Sequence, residues 1–245
     1  KQVRQRGALM SKKQLGDPVT YNPAPYPSAL TLEGNHVRLE PLSLTHAPML
    51  HEAFATSTDH AIWDYLPYGP FPDADAYAAW IDENTSAGDP QFFAIYLKDR
   101  GIYAGVCSYL RINPKDGSIE VGHINYSPLM QAGVAATEVM YLMMRWAFEA
   151  GYRRYEWKCN ALNAKSRSAA QRLGFSFEGV FRQASITKGR NRDTAWFAII
   201  DKEWPRLNKA FTTWLDPVNF DNNGQQRQRL SDLTAPVRVA SDPSL

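Results

Sequence analysis

The stretch Ser127–Gly151 reads SPLMQAGVAATEVMYLMMRWAFEAG, and its pattern decides the fold. It opens on Ser-Pro, and the residue before a proline is pushed out of the helical region. Small residues follow: Ala132, Gly133, Ala135 and Ala136. Apolar residues then recur at helical spacing through Ala136, Val139, Met140, Met143, Trp146, Ala147 and Ala150. Gly151 is placed to end the helix in a left-handed cap. A helix apolar around most of its girth is expected to lie against a sheet. Its first turn carries no bulky side chain, so an anion can approach N–H groups at the positive end of the helix dipole.

Strand-like segments flank this helix, Ser118–Tyr126 before it and Tyr155–Cys159 after it. A β–loop–α–β run with small residues in the loop outlines a site for a nucleotide pyrophosphate. The dinucleotide fingerprint G-x-G-x-x-G is absent. In its place stands Gln131-Ala-Gly-Val-Ala-Ala136-Thr-Glu138. This resembles the Q/R-x-x-G-x-G/A loop of the GNAT N-acetyltransferase superfamily, with Val134 where the family usually has glycine. Asn163-Ala-Lys-Ser166 followed by Arg172-Leu-Gly174-Phe175 resembles the N-x-x-S…L-G-F segment of the branch that includes the ribosomal-protein N-terminal acetyltransferases. Apart from any family, Asn163 can end a strand, a nearby polar side chain can cap the next helix, and Gly174 can stop it.

The resemblance covers roughly His36 to Trp204 and implies a GNAT-type α/β (α+β) fold. That fold is a mixed, twisted seven-stranded sheet with helices on both faces, in which Ser118–Tyr126 and Tyr155–Cys159 splay apart. It also implies acetyl-CoA entering the splay from one side, an acceptor entering from the other, and direct transfer without a covalent acyl-enzyme. A non-catalytic coenzyme A-binding module of the same fold is the alternative.

Periodicity and turn residues predict the remaining elements. Strands are expected at His36–Pro41, Gln91–Lys98, Ile102–Ile112, Phe175–Ile186 and Thr194–Asp201, and helices at Leu44–Thr56, Asp73–Asn84, Asn163–Leu173 and Trp204–Leu215. Residues 1–30, with prolines at 18, 23, 25 and 27, read as an extended surface arm. Residues 31–215 form the domain, and residues 216–245 read as a polar, mobile tail.

A formal net charge of +2 is too small for a dedicated nucleic-acid binder. No apolar run is long enough to span a membrane, and the basic N-terminus lacks the apolar core of a secretory signal. Cys107 and Cys159 both fall in predicted strands, which fits a reducing compartment such as the cytoplasm and leaves no basis for a metal site.

Amine acylation needs a base for the ammonium proton, a donor for the oxyanion and a path for the leaving thiolate. Glu120 is the first candidate base. Period 2 places Glu120, Gly122 and Ile124 on one face of a strand, with His123, the second candidate, on the other unless a bulge intervenes. The resemblance implies that the backbone of Ile124, Asn125 and Tyr126 meets the pantetheine arm. It implies that Gln131, Ala132, Gly133, Val134, Ala135, Ala136 and Thr137 hold the pyrophosphate. It further implies that Asn163 orders the cleft and that Ser166 donates toward the thiolate. Trp63, Tyr65 and Tyr68 in the loop Asp59–Pro72, and Trp157, could line an acceptor pocket, with core packing or self-association as a homodimer the competing readings. Leu39–Leu97 holds many acids and no lysine or arginine, so an acidic mouth for a cationic amine is expected, either a small molecule or a protein α-amine.

Overall fold

Eight strands make one mixed sheet in the computed structural model, which describes residues 15–131 and 133–245. They are β1 (Leu32–Glu33), β2 (Val37–Pro41), β3 (Gln91–Leu97), β4 (Ile102–Asn113), β5 (Ser118–Tyr126), β6 (Arg154–Asn160), β7 (Ser176–Thr187) and β8 (Arg190–Ile200). The α-helices are α1 (Ala47–Ala55), α2 (Ala74–Thr85), α3 (Val134–Glu149), α4 (Ala164–Arg172), α5 (Trp204–Leu215) and α6 (Leu230–Thr234). The spatial order is β1-β2-β3-β4-β5-β6-β8-β7, and only β5 and β6 run parallel. The sheet thus has one strand more than the seven expected. The addition is β1, whose Leu32 pairs with Leu39 of β2.

The parallel pair exists because α3 carries the chain back across the sheet. Val139, Met140, Met143, Met144 and Ala147 of α3 are buried in the larger core, together with Tyr155, Trp157 and Cys159 of β6. α1 and α2 build a second core on the other face with Trp63, Phe92 and Val106. Both helices that follow the splay end as their glycines require. Gly151 and Gly174 have φ of +96°. Around them Tyr152 N–H bonds Ala147 O at 3.0 Å and Phe175 N–H bonds Ala170 O at 3.0 Å, the long-range bond of a Schellman cap. A Cβ on Gly174 would also stand 2.5 Å from Leu207 Cδ2.

Glu138, in the second turn of α3, is buried and fixes the first hairpin. Its carboxylate accepts from the backbone N–H groups of Asn35 (2.8 Å), His36 (2.7 Å) and Val37 (3.0 Å). Such charge-assisted bonds are stronger than neutral ones, so α3 is tied to β2 as well as packed on it.

Residues 1–14 of the expected arm lie outside the described residues. From 15 to 30 the chain forms no helix or strand, and it is held to the surface by Tyr21 Oη to Pro114 O (2.9 Å) and Tyr152 Oη to Pro25 O (3.1 Å). The expected mobile tail is not what the structure shows. Residues beyond Asp216 fold back on the domain, with Leu230 and Val237 in the core and Phe177 N–H bonded to Ala240 O at 3.2 Å. Their few apolar residues are widely spaced, and polar contacts do much of the holding. Arg167 of α4 donates Nε and Nη2 to the two oxygens of Asp242, each at 2.6 Å. Burial pushes the Asp242 carboxyl up, but Arg167 and Ser244 more than reverse this, so it ionises below its usual range.

Replacing Asp242 with alanine leaves a buried guanidinium unpaired and is expected to lower the unfolding free energy in urea by about 3 kcal/mol. Because the folded carboxyl is the stronger acid, its contribution is present above the unfolded pKa of 3.8 and lost as pH falls through the folded value. The difference between wild type and variant should therefore shrink in acid. An unchanged urea midpoint at neutral pH would show that the segment contributes nothing to the fold.

Candidate active site

Backbone pairing between β5 and β6 runs from Ser118–Arg154 to Val121–Trp157 and stops there. Past that point β5 remains paired with β4 through Asn125 and Tyr126, and β6 with β8 through Asn160. The facing edges of β5 and β6 beyond the last pair are thus left without a strand partner. Alternation along β6 sends Tyr155, Trp157 and Cys159 into the α3 core and Glu156, Lys158 and Asn160 to the opposite face.

Glu120 shares that opposite face. Its side chain is 4% exposed, with Oε2 2.8 Å from Lys158 Nζ and 3.4 Å from Arg111 Nε. Lys158 Nζ also lies 2.7 Å from Glu156 Oε2 and 3.8 Å from the centre of the Trp196 ring. Burial raises the Glu120 carboxyl above its ordinary value, and the attraction of Lys158 and Arg111 only partly offsets this. Oε2 makes no aligned hydrogen bond, so the lysine contact is ionic and undirected. A Cβ on Gly122 would stand 2.9 Å from Leu110 Cδ2, so glycine there lets Leu110 pack close beside Glu120.

A β-bulge alters the expected facing. Gly122 pairs with Ser108 and Asn125 with Val106, so two β5 residues oppose Cys107 alone, and His123 takes φ of +51°. His123 thereby lies on the α1–α2 side with Tyr68 and Phe92, while Ile124, expected beside Glu120, turns to the α3 core. His123 Nδ1 is 3.1 Å from Tyr68 Oη. Burial, with Arg111 and Arg192 adding to it, lowers its pKa to about 4, so the ring is neutral at neutral pH. Arg111 is aimed by a second bulge in β4, where it has φ of +46° and Asp89 accepts from the N–H groups of Arg111 (3.1 Å) and Ile112 (3.0 Å).

The aromatic candidates divide. Trp63 is buried in the α1–α2 core against Phe54 and Phe71, so it does not line a pocket. Trp157 is likewise buried, on the α3 side, because its parity on β6 is opposite to that of Lys158. Tyr68, stacked on His123, and exposed Tyr65 border the cleft. Tyr65 Oη donates to Leu162 O at 3.2 Å, and Lys188 Nζ donates to Trp63 O at 2.9 Å. These bonds tie the aromatic loop across the mouth of the splay to the β6–α4 turn and the β7–β8 hairpin.

On the α3 side, Gly133 is the N-cap, and no side chain caps the helix start. A Cβ on Gly133 would meet nothing nearer than 3.7 Å. Gln131 Nε2 donates to Tyr126 O at 2.8 Å, linking the loop to the end of β5. Val134, Ala135 and Ala136 form the open first turn, and Ala132 lies outside the described residues. Thr137 departs from expectation. It is buried, and its hydroxyl accepts from Arg172 Nη1 at 3.0 Å. Asn163 is the N-cap of α4, accepting from Ser166 N–H at 3.1 Å. Ser166 Oγ accepts from Trp157 Nε1–H at 3.0 Å, which leaves its own hydrogen free to donate. Asn125 is buried with neither side-chain polar atom partnered.

None of the acids of Leu39–Leu97 is among the charges acting on Glu120. Asp59, Asp64, Asp73, Asp75 and Asp82 are exposed, and Asp59 and Asp73 are used in local backbone capping. The charges around Glu120 are Glu156, Lys158, Arg111 and Arg192, none of them singled out by the sequence. Alternation on β6 could have flagged Lys158, but Arg111 is aimed by a bulge that leaves no clear mark in sequence.

Residues 36–176 match the family model described as the acetyltransferase (GNAT) domain. The chain is 24% identical over 177 residues to the "Uncharacterized N-acetyltransferase p20" of Bacillus licheniformis, a match covering 71% of this chain and 98% of that protein. It is 30% identical over 117 residues to the ribosomal-protein-serine acetyltransferase of Escherichia coli K12, covering 47% of this chain and 64% of the relative. Among solved structures, a GCN5-related N-acetyltransferase from Brucella melitensis superimposes with a TM-score of 0.85 at 42% identity, covering 88% of this chain and 98% of the other. The matched segment runs from the start of β2 to the start of β7 and contains the β5–β6 splay, the open start of α3 and Glu120. The chain therefore belongs to the GNAT family of acyl-CoA-dependent N-acetyltransferases.

Proposed function

We propose that this acetyltransferase moves an acetyl group from acetyl-CoA to a primary amine by direct attack in a ternary complex. The observation that carries the reading is the position of Glu120, a buried carboxylate with a raised pKa, one residue before the last β5–β6 pair. Acetyl-CoA, when bound, supplies the activated acyl group. The residues present suit it. The free edge of β5 over Gly122–Tyr126 offers backbone groups to an extended amide-bearing arm. The uncapped start of α3, from Gly133 through Ala136, offers N–H groups and dipole to phosphates.

The acceptor enters under the loop held by Tyr65 and Lys188. At neutral pH an amine of pKa about 10 is almost wholly protonated, so its proton must leave before nitrogen can attack. Glu120, directly or through a water, takes that proton, and its raised pKa makes it a better base than an ordinary glutamate. Lys158 and Arg111 limit the rise. His123, with a pKa of about 4, is a weaker base and orients the cleft wall through Tyr68. Ser166, its oxygen already accepting from Trp157, directs its hydrogen toward the departing sulfur.

Glu120→Gln should keep acetyl-CoA affinity and lower kcat by about 10²–10⁴-fold, measured by thiol release with an amine panel. The base must be unprotonated, so activity should fall as pH drops through a value above glutamate's 4.5 rather than at the about 4 of His123. An unimpaired Glu120→Gln enzyme would refute the assignment. Ala136→Asp puts a negative charge where phosphates would sit and should weaken acetyl-CoA binding at least tenfold by titration calorimetry. Equal affinity would place the cofactor elsewhere.

A further inference from the structure

β8 contributes a cation to the acceptor side that the chemistry above does not use. Trp196 lies opposite Lys158 across the β6–β8 pair and under its ammonium, so it faces the Glu120 side. Strand alternation then brings Thr194 and Arg192 to the same face. Arg192 is half-buried, and its Nε is shielded from solvent with no hydrogen-bond partner among the described residues. The indole N–H of Trp196 is likewise buried and unpartnered. Some guanidinium groups of this chain are matched to carboxylates, Arg38 to Glu40, Arg154 to Glu156 and Glu178, Arg167 to Asp242, while Arg238 shares with Arg192 a buried Nε without a partner but lies away from this face, bonded to Gln171 O. No described carboxylate pairs with Arg192.

An Arg192 Nε–H left unbonded away from solvent is costly, and a ligand bearing anionic oxygens would satisfy it. Arg111 lies within electrostatic reach of Arg192, and so does Glu120. Burial, with Arg111 adding to it, makes the Arg192 side chain easier to deprotonate, and Cys159 and Glu120 only partly offset this. Lys158 is shared between Glu120 and Glu156, so with Arg111 and Arg192 this face carries three cations against two carboxylates.

We propose that the acceptor is a small amine carrying an anionic group, a carboxylate or phosphate, held by Arg192 with Arg111 at the rim while the amine reaches Glu120. This narrows the acceptor of the reaction proposed above and rests on that reading. It reverses the expectation of a purely cationic acceptor drawn from the acid-rich segment Leu39–Leu97, whose acids point to solvent.

The test uses acceptor pairs that differ only in the anion: α-amino acids against their amides, and phosphoethanolamine against ethanolamine. Binding to the protein–coenzyme A complex is measured by calorimetry, and acetyl transfer as kcat/KM. The wild type should favour the anionic member of at least one pair by about 10–100-fold in both readouts, the range of a charge-assisted bond. The pair that responds tells carboxylate from phosphate. Arg192→Gln should bring that ratio toward one, chiefly through Kd and KM, with coenzyme A affinity retained as the control for folding. Equal or better binding of the neutral members, a preference for peptide amines regardless of charge, or a ratio untouched by Arg192→Gln would overturn the proposal. Selective binding without transfer would count against the reaction assignment and leave the anion site standing.

Discussion

The parallel pairing of β5 and β6 stops at Val121–Trp157, and the site depends on that stop. Unpaired backbone inside a sheet is costly, so strands that run on side by side normally close their ladder. Here each strand keeps its outer partner, β4 or β8, and gives up the inner one. The bulge at His123 bends β5 where the separation begins. What results is a slot with hydrogen-bonding edges, flanked on one side by the start of α3 and on the other by a charged face.

The two sides are built by different means. The α3 side is made of absences: no side chain at Gly133, only methyl groups at Ala135 and Ala136, and no side-chain cap. Its rigidity comes from the buried methionine-rich face of α3 and from Glu138, which ties the helix to the first hairpin. The other side is made of charges that come from four strands. Glu120, Lys158 and Arg192 are brought together by strand alternation, and Arg111 joins them through a bulge. The C-terminal segment contributes from behind, since Asp242 clamps Arg167, one residue after Ser166 on α4.

α3 and its open start were legible in the sequence because they are local. Helical periodicity, a run of small residues and a terminal glycine all lie within Ser127–Gly151, and each has one structural meaning. Glu120 was legible through strand alternation. The acceptor side was much less so. Its cations come from segments far apart in the chain, and two of its facing residues, Arg111 and His123, depend on bulges. Trp63 and Trp157 look the same in sequence as pocket-lining aromatics, and only their parity and packing place them in cores. The tail after Asp216 reads as polar because its few core residues, such as Leu230 and Val237, are widely spaced and the rest of its contacts are hydrogen bonds and one ion pair. Counting acids between Leu39 and Leu97 did not anticipate the cations around Glu120, since composition does not report which way a carboxylate points.

The account's central claim is that the unpaired β5 edge and the open start of α3 together receive coenzyme A. Hydrogen exchange with and without coenzyme A tests this directly, followed peptide by peptide through mass spectrometry. Protection should appear in peptides spanning Gly122–Tyr126 and Gly133–Thr137, with little change in β2 and β3. Protection confined to other segments, or none at saturating coenzyme A, would contradict the account.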